Sequence, residues 1–317
     1  MTRNSERPRP AGLPALLAVL ALAETVLLRT GTRTLIHIPG LGRFETPIGI
    51  LAEVGRFAYY LAAVFLAGTL AILAHQGLRA GTSRHLVGGT AALMFLGVAV
   101  AGALGALSGT VVGWSSLALL VMVTTTAWRG LSTLPIGLFV LGSVAAGGTV
   151  LGQGPWGGLT GRQVDGLLLT AEISLILAAV TAPLLLRHPP GRLAVIAGLG
   201  AASIAVGAFA AGSSTLSILV LWNLGIPGWL PGVAYALALG SLVTTIWSAL
   251  ASDQRLTAIG LALLVAGGIG AISTYQTGLV IVGVLLLGHS MGGAPLPQDS
   301  RRTAGVYGEA DSAVPVA

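Results

Sequence analysis

The chain is 317 residues long, 54% hydrophobic and only 8% charged, with a mean hydropathy of +0.90. A water-soluble domain of this size carries charge on about a quarter of its residues, so these proportions exclude one and point to lipid as the solvent. The net charge of +6 comes from arginines scattered at the ends of apolar runs, which is a topology signal and not a nucleic-acid-binding face.

Residues 1–10 are a short basic tail with Arg3, Arg7 and Arg9, leading into an apolar run over 11–28. The combination resembles a signal peptide. The run ends, however, in Arg29, Thr30, Gly31 and Thr32 in place of a small-residue cleavage site, so it is expected to stay as a first helix with Glu24 near its far end. Residues 29–47 form the longest polar connection and hold Arg33, His37, Arg43 and Glu45. A second helix over 48–74 contains Glu53 and Arg56, three residues apart and therefore on one face. The loop after it carries His75, Arg79, Arg84 and His85.

Further helices are expected over 86–107, 111–127, 132–151, 164–186 and 193–211, joined by short loops that include Trp128-Arg129-Gly130 and Arg187-His188-Pro189-Pro190. The apolar piece 216–224 is too short to span. It runs into the proline-interrupted segment 223–231, with Asn223, Pro227 and Pro231, and this reads as re-entrant or interfacial. Runs over 232–250, 256–273 and 275–288 complete a count of ten. Residues 291–317 lack apolar periodicity and read as a disordered tail.

The expected fold is therefore an all-α polytopic bundle of about ten transmembrane helices over 11–290, with one broken or re-entrant segment. With the N-terminus inside, 11 of the 16 arginines fall on the cytoplasmic side, so both termini are expected to be cytoplasmic. Trp114, Trp156, Trp222 and Trp229 then belong to the outer interface. Arginine-only usage and abundant alanine and glycine suggest a GC-rich genome, and hence a bacterial cytoplasmic membrane. The 47 glycines supply small surfaces for close helix contact, with small-xxx-small spacing at Gly105, Gly109 and Gly113 and at Gly148 and Gly152.

Missing residue types exclude several chemistries. Without lysine there can be no retinal or pyridoxal Schiff base, no serine–lysine dyad and no G-x-x-x-x-G-K-[ST] nucleotide loop. Without cysteine there can be no disulfide, thiolate metal site or iron–sulfur ligation. His75, His85, His188 and His289 fall at the cytoplasmic boundary and His37 outside, with no ligand spacing among them, so no metal or cofactor is expected. Gly288-His289-Ser290-Met291-Gly292 matches G-x-S-x-G after a strand-like 280–287. No later histidine completes a triad, so it reads as a helix end and not as a nucleophile elbow.

The carboxylates carry the functional argument. Asp165 and Glu172 lie seven residues apart, on one helix face, with Glu172 about 10 Å deeper. Glu24, Glu53, Asp165, Glu172 and Arg56 all fall in the outer half of the membrane, where ionised groups cost several kcal/mol unless paired or hydrated. Glu172 is the deepest and the leading residue of an ion or substrate pathway, with Arg56 as counter-ion. The plainer alternative has Glu24, Glu53 and Asp165 reaching to the interface and Glu172 making a structural bond. Asn223 joins the pathway because broken helices expose backbone groups that bind ions and substrates. Arg33, His37 and Arg43 form an anion or headgroup contact, headgroup anchoring being the commoner case. Ala-Glu-x-x-Leu recurs at 23–27 and 171–175, a weak hint of an inverted repeat.

The expected function is a gradient-driven transporter or permease for a small solute or ion. The alternative is a non-catalytic membrane subunit of a larger respiratory or biosynthetic complex. Lipid, further copies of the chain or partner membrane subunits are the expected company, and nucleic acid is not.

Overall fold

A computed structural model describes residues 12–31, 45–80, 82–153, 158–210, 229–268 and 273–292. These residues are predominantly helical, with no strand among them. Among the described residues there are ten α-helices: α1 Gly12–Glu24, α2 Glu45–Arg79, α3 Ser83–Ala103, α4 Gly109–Ala127, α5 Leu134–Gln153, α6 Gly161–Thr181, α7 Arg192–Ala210, α8 Trp229–Ala251, α9 Arg255–Gly268 and α10 Thr274–Gly292. A π-helical turn, Thr25–Gly31, continues α1, and 3-10 turns precede α5 and succeed α6. Seven segments are long and apolar enough to cross a membrane, namely those in α2 to α6, α8 and α10. Three shorter apolar helices, Gly12–Leu28, Arg192–Gly207 and Arg255–Gly268, accompany them.

Local chemistry sets the helix ends. Thr160 and Gln163 form a capping box that starts α6, the Thr160 backbone amide donating to Gln163 Oε1 at 2.9 Å, which satisfies donors the helix itself leaves orphaned. Ser108 Oγ accepts from the Val111 amide at the start of α4. Pro231, expected within the broken segment, lies instead in the first turn of α8, where the missing amide proton has no partner to lose. Residues 211–228, and with them Asn223, Trp222 and Pro227, lie outside the described residues, as do 293–317. Gly105, Gly109 and Gly113 do not form one helix stripe: Gly105 has φ +73 in the turn after α3, and Gly109 opens α4. The strand-like 280–287 is helical, and the G-x-S-x-G motif forms the last turns of α10.

At the centre stands the hairpin α9–α10. Eleven of the residues of α9 are buried, and 72% of the apolar window of α10 is buried against 28–56% for the other long helices. Neighbouring helices, and not lipid, therefore cover most of this hairpin. α1 and α8 flank α9, while α2, α3 and α4 pack on α10; α5 and α6 complete the surround, and α7 rests on α8 at the periphery.

Three hairpins close through paired glycines. A Cβ on Gly77 of α2 would fall 2.7 Å from the Gly89 Cα of α3; one on Gly198 of α7, 2.6 Å from the Gly240 carbonyl oxygen of α8; one on Gly283 of α10, 2.8 Å from the Gly260 carbonyl oxygen of α9. Helices in lipid gain little by hiding apolar area from one another and associate through such backbone contact.

Candidate functional site

Glu172 lies in the middle of α6, about 16 Å from the helix start at 1.5 Å per residue, and is 5% exposed. α8 runs alongside, and its Tyr235 hydroxyl donates to Glu172 Oε1 at 2.6 Å. Further along the same contact, Ser241 Oγ donates to the Val180 carbonyl at 3.1 Å, so the two helices are joined by polar contacts at two levels. A carboxyl oxygen accepts a hydrogen bond in both protonation states. The tyrosine thus fixes the side chain's position between the two helices.

The other acids are placed differently. Asp165 shares the helix face of Glu172 by its spacing, yet it is exposed in the first turns of α6, whereas Glu172 is covered by α8. Glu53 and Arg56 are both exposed and pair with each other, Nη1 to Oε1 at 2.6 Å. If Arg79 marks one edge of the hydrocarbon, the rise along α2 puts Arg56 about 34 Å away, just past the other edge of a core about 30 Å thick. Arg56, expected to serve Glu172 as counter-ion, therefore has Glu53 as its partner. Glu24 is 1% exposed, the most buried carboxylate described. It sits at the change from α-helix to π-helix, beside Thr25, whose hydroxyl donates to the Ala21 carbonyl at 2.8 Å. Single π-helical turns within α-helices recur at functional positions. Arg33, His37 and Arg43 lie outside the described residues.

Tyr235 was not among the residues singled out from sequence; it lies 63 positions from Glu172, and a lone tyrosine in an apolar run carries no spacing signal. His85 and His289 also meet, with ring centroids 4.9 Å apart. Among the described residues there is no group of three or more His, Asp or Glu able to hold a metal ion. Ser290, the would-be nucleophile of the G-x-S-x-G motif, donates to the Leu287 carbonyl at 2.9 Å and accepts from Thr257 at 3.2 Å, which are helix-end and interhelical contacts.

Length, hydropathy and helix packing together define a multi-pass helical membrane protein. No family model, no characterised protein and no solved structure matches the chain.

Proposed function

We propose that the protein is a secondary transporter or permease for a small solute or ion, with Glu172 as its working ionisable residue. The observation that supports this most is the placement of Glu172, buried at mid-helix and tied to a second helix by the Tyr235 hydroxyl. An acid at that depth is expensive to keep without a task or a firm partner. A carboxyl group held between two helices can exchange a proton or a cation as they shift, which is the local event that alternating access needs. The sixteen arginines favour an orientation with the Arg79, Arg84, Arg129 and Arg187 end of the bundle in the cytoplasm.

Proteoliposomes loaded with a pH-sensitive dye and challenged with pools of small solutes provide the test. Glu172→Gln is expected to abolish solute-dependent proton movement while leaving thermal stability near that of the wild type. Full activity of that variant at every pH tried refutes the assignment. The second reading, a non-catalytic membrane subunit, makes a different prediction: purification in gentle detergent brings down stoichiometric partner proteins, where a transporter comes down alone or as copies of itself.

A further inference from the structure

The C-terminal ends of α2, α4 and α10 meet the first turn of α3 around a cavity of about 290 Å³. One liquid water occupies about 30 Å³, so this space suits a polyatomic group better than a lone ion. Among the described residues its lining includes Arg84, His85, Arg129 and His289 and no carboxylate. Thr82, the residue preceding α3, does not cap that helix: its hydroxyl lies 2.7 Å from His85 Nδ1 and holds the imidazole at the rim. The His289 ring packs on the other side of His85. Arg129 is held at the end of α4 by donating to the Thr126 and Trp128 carbonyls at 2.9 and 3.1 Å.

Arg84 has no hydrogen-bond or ion-pair partner among the described residues, whose ion pairs join Glu53 to Arg56 and Asp253 to Arg255. Partial burial, and after it the neighbouring Arg84, lowers the pKa of Arg129 from its ordinary value; an arginine nevertheless keeps its charge at any physiological pH. The positive end of the α3 dipole is outweighed here by the negative ends of α2, α4 and α10, so the positive field comes from the side chains. Gly77 and Gly88 line the cavity, and helix packing holds them as glycine: at Gly77 a Cβ would fall 2.6 Å from the His85 carbonyl oxygen, and at Gly88 one would fall 3.0 Å from Leu285.

We propose that this cavity binds a phosphate group, presented either by an anionic phospholipid headgroup or by a soluble phosphate ester. Arg84 and His85 stand on α3, Arg129 on the α4–α5 turn and His289 on α10, and donors carried by three separate elements suit a tetrahedral anion with several oxygens better than a flat carboxylate with two. Basic recesses between membrane helices, at the level of the headgroups, are where lipid phosphates are held. The assignment stands apart from the role of Glu172 and survives the loss of either functional reading.

Two measurements on the full chain test it and separate the sources. Native mass spectrometry after reconstitution in equal parts phosphatidylcholine and phosphatidylglycerol is expected to show phosphatidylglycerol retained preferentially if a lipid is the ligand. Titration of inorganic phosphate into phosphatidylcholine nanodiscs is expected to show saturable binding if a soluble ester is. In whichever measurement responds, Arg84→Gln combined with Arg129→Gln lowers binding at least tenfold, and Arg84→Gln alone gives a smaller loss, with melting unchanged. Arg79→Gln, exposed at the same end but outside the cavity lining, leaves binding within about twofold. No response in either measurement overturns the proposal, as does wild-type binding by the double variant or an equal loss in Arg79→Gln.

Discussion

The α7–α8 contact allows a controlled test of how this bundle is held together, because α7 carries two glycines two positions apart with opposite surroundings. A Cβ on Gly198 would fall 2.6 Å from the Gly240 carbonyl oxygen, while one on Gly200 would meet nothing within 4 Å. Replacing either by alanine brings the same gain in helix propensity, up to about 1 kcal/mol in water, so the difference between the two variants isolates packing. Ordinary contact begins near 3.4 Å, which leaves Gly198→Ala short by about 0.8 Å against the backbone of α8. Thr244, the nearest side chain, can rotate away. The Gly240 carbonyl cannot, so α7 must separate from α8. Overpacking of this kind costs about 1–3 kcal/mol, and Gly198→Ala should be less stable than Gly200→Ala by that amount. Reversible unfolding in a single defined detergent measures the difference. Equal stability of the two variants would refute the close approach of α7 and α8.

The polar contacts set two further outcomes. Tyr235→Phe should destabilise the protein by about 0.6–1.7 kcal/mol, the span measured for interhelical hydrogen bonds in membranes. In a double-mutant cycle with Glu172→Leu, the two losses should fall short of adding; strict additivity of the unfolding free energies would show the bond to be absent. Glu53→Gln and Arg56→Gln should each change stability by less than about 1 kcal/mol, because their pair is 67% and 58% exposed. A loss of several kcal/mol in either would place that pair in the interior.

Much of the architecture was legible because lipid demands long apolar runs. The run over 111–127 became Gly109–Ala127, its start set by the Ser108 cap that hydropathy does not weigh, and that over 193–211 is helical over the described Arg192–Ala210. Neighbour relations were not legible. In water a helix reveals its inner face by amphipathicity, but here the lipid-facing and core-facing sides are both apolar. Nothing local marked Gly198 as facing Gly240 while Gly200 faces open space, or His85 as the neighbour of His289. Glu172 stands out in the sequence as a charge in an apolar run, and it is buried. Its partner Tyr235 does not stand out, and Glu24, expected near an interface, is more deeply buried than Glu172.

The position of α9–α10 has a consequence for how the chain is made. The hairpin that the other helices surround is synthesised after all of them. At about 5–20 residues per second, residues 12–254 take roughly ten to fifty seconds to emerge, and throughout that time α1 to α8 lack the surface on which they finally settle. Early helices must enter the bilayer as a loose, open set whose gap admits the closing pair sideways from lipid. A ribosome that stops before α9 leaves α1 without its contact to α9, and α2, α3 and α4 without the face of α10 on which they pack.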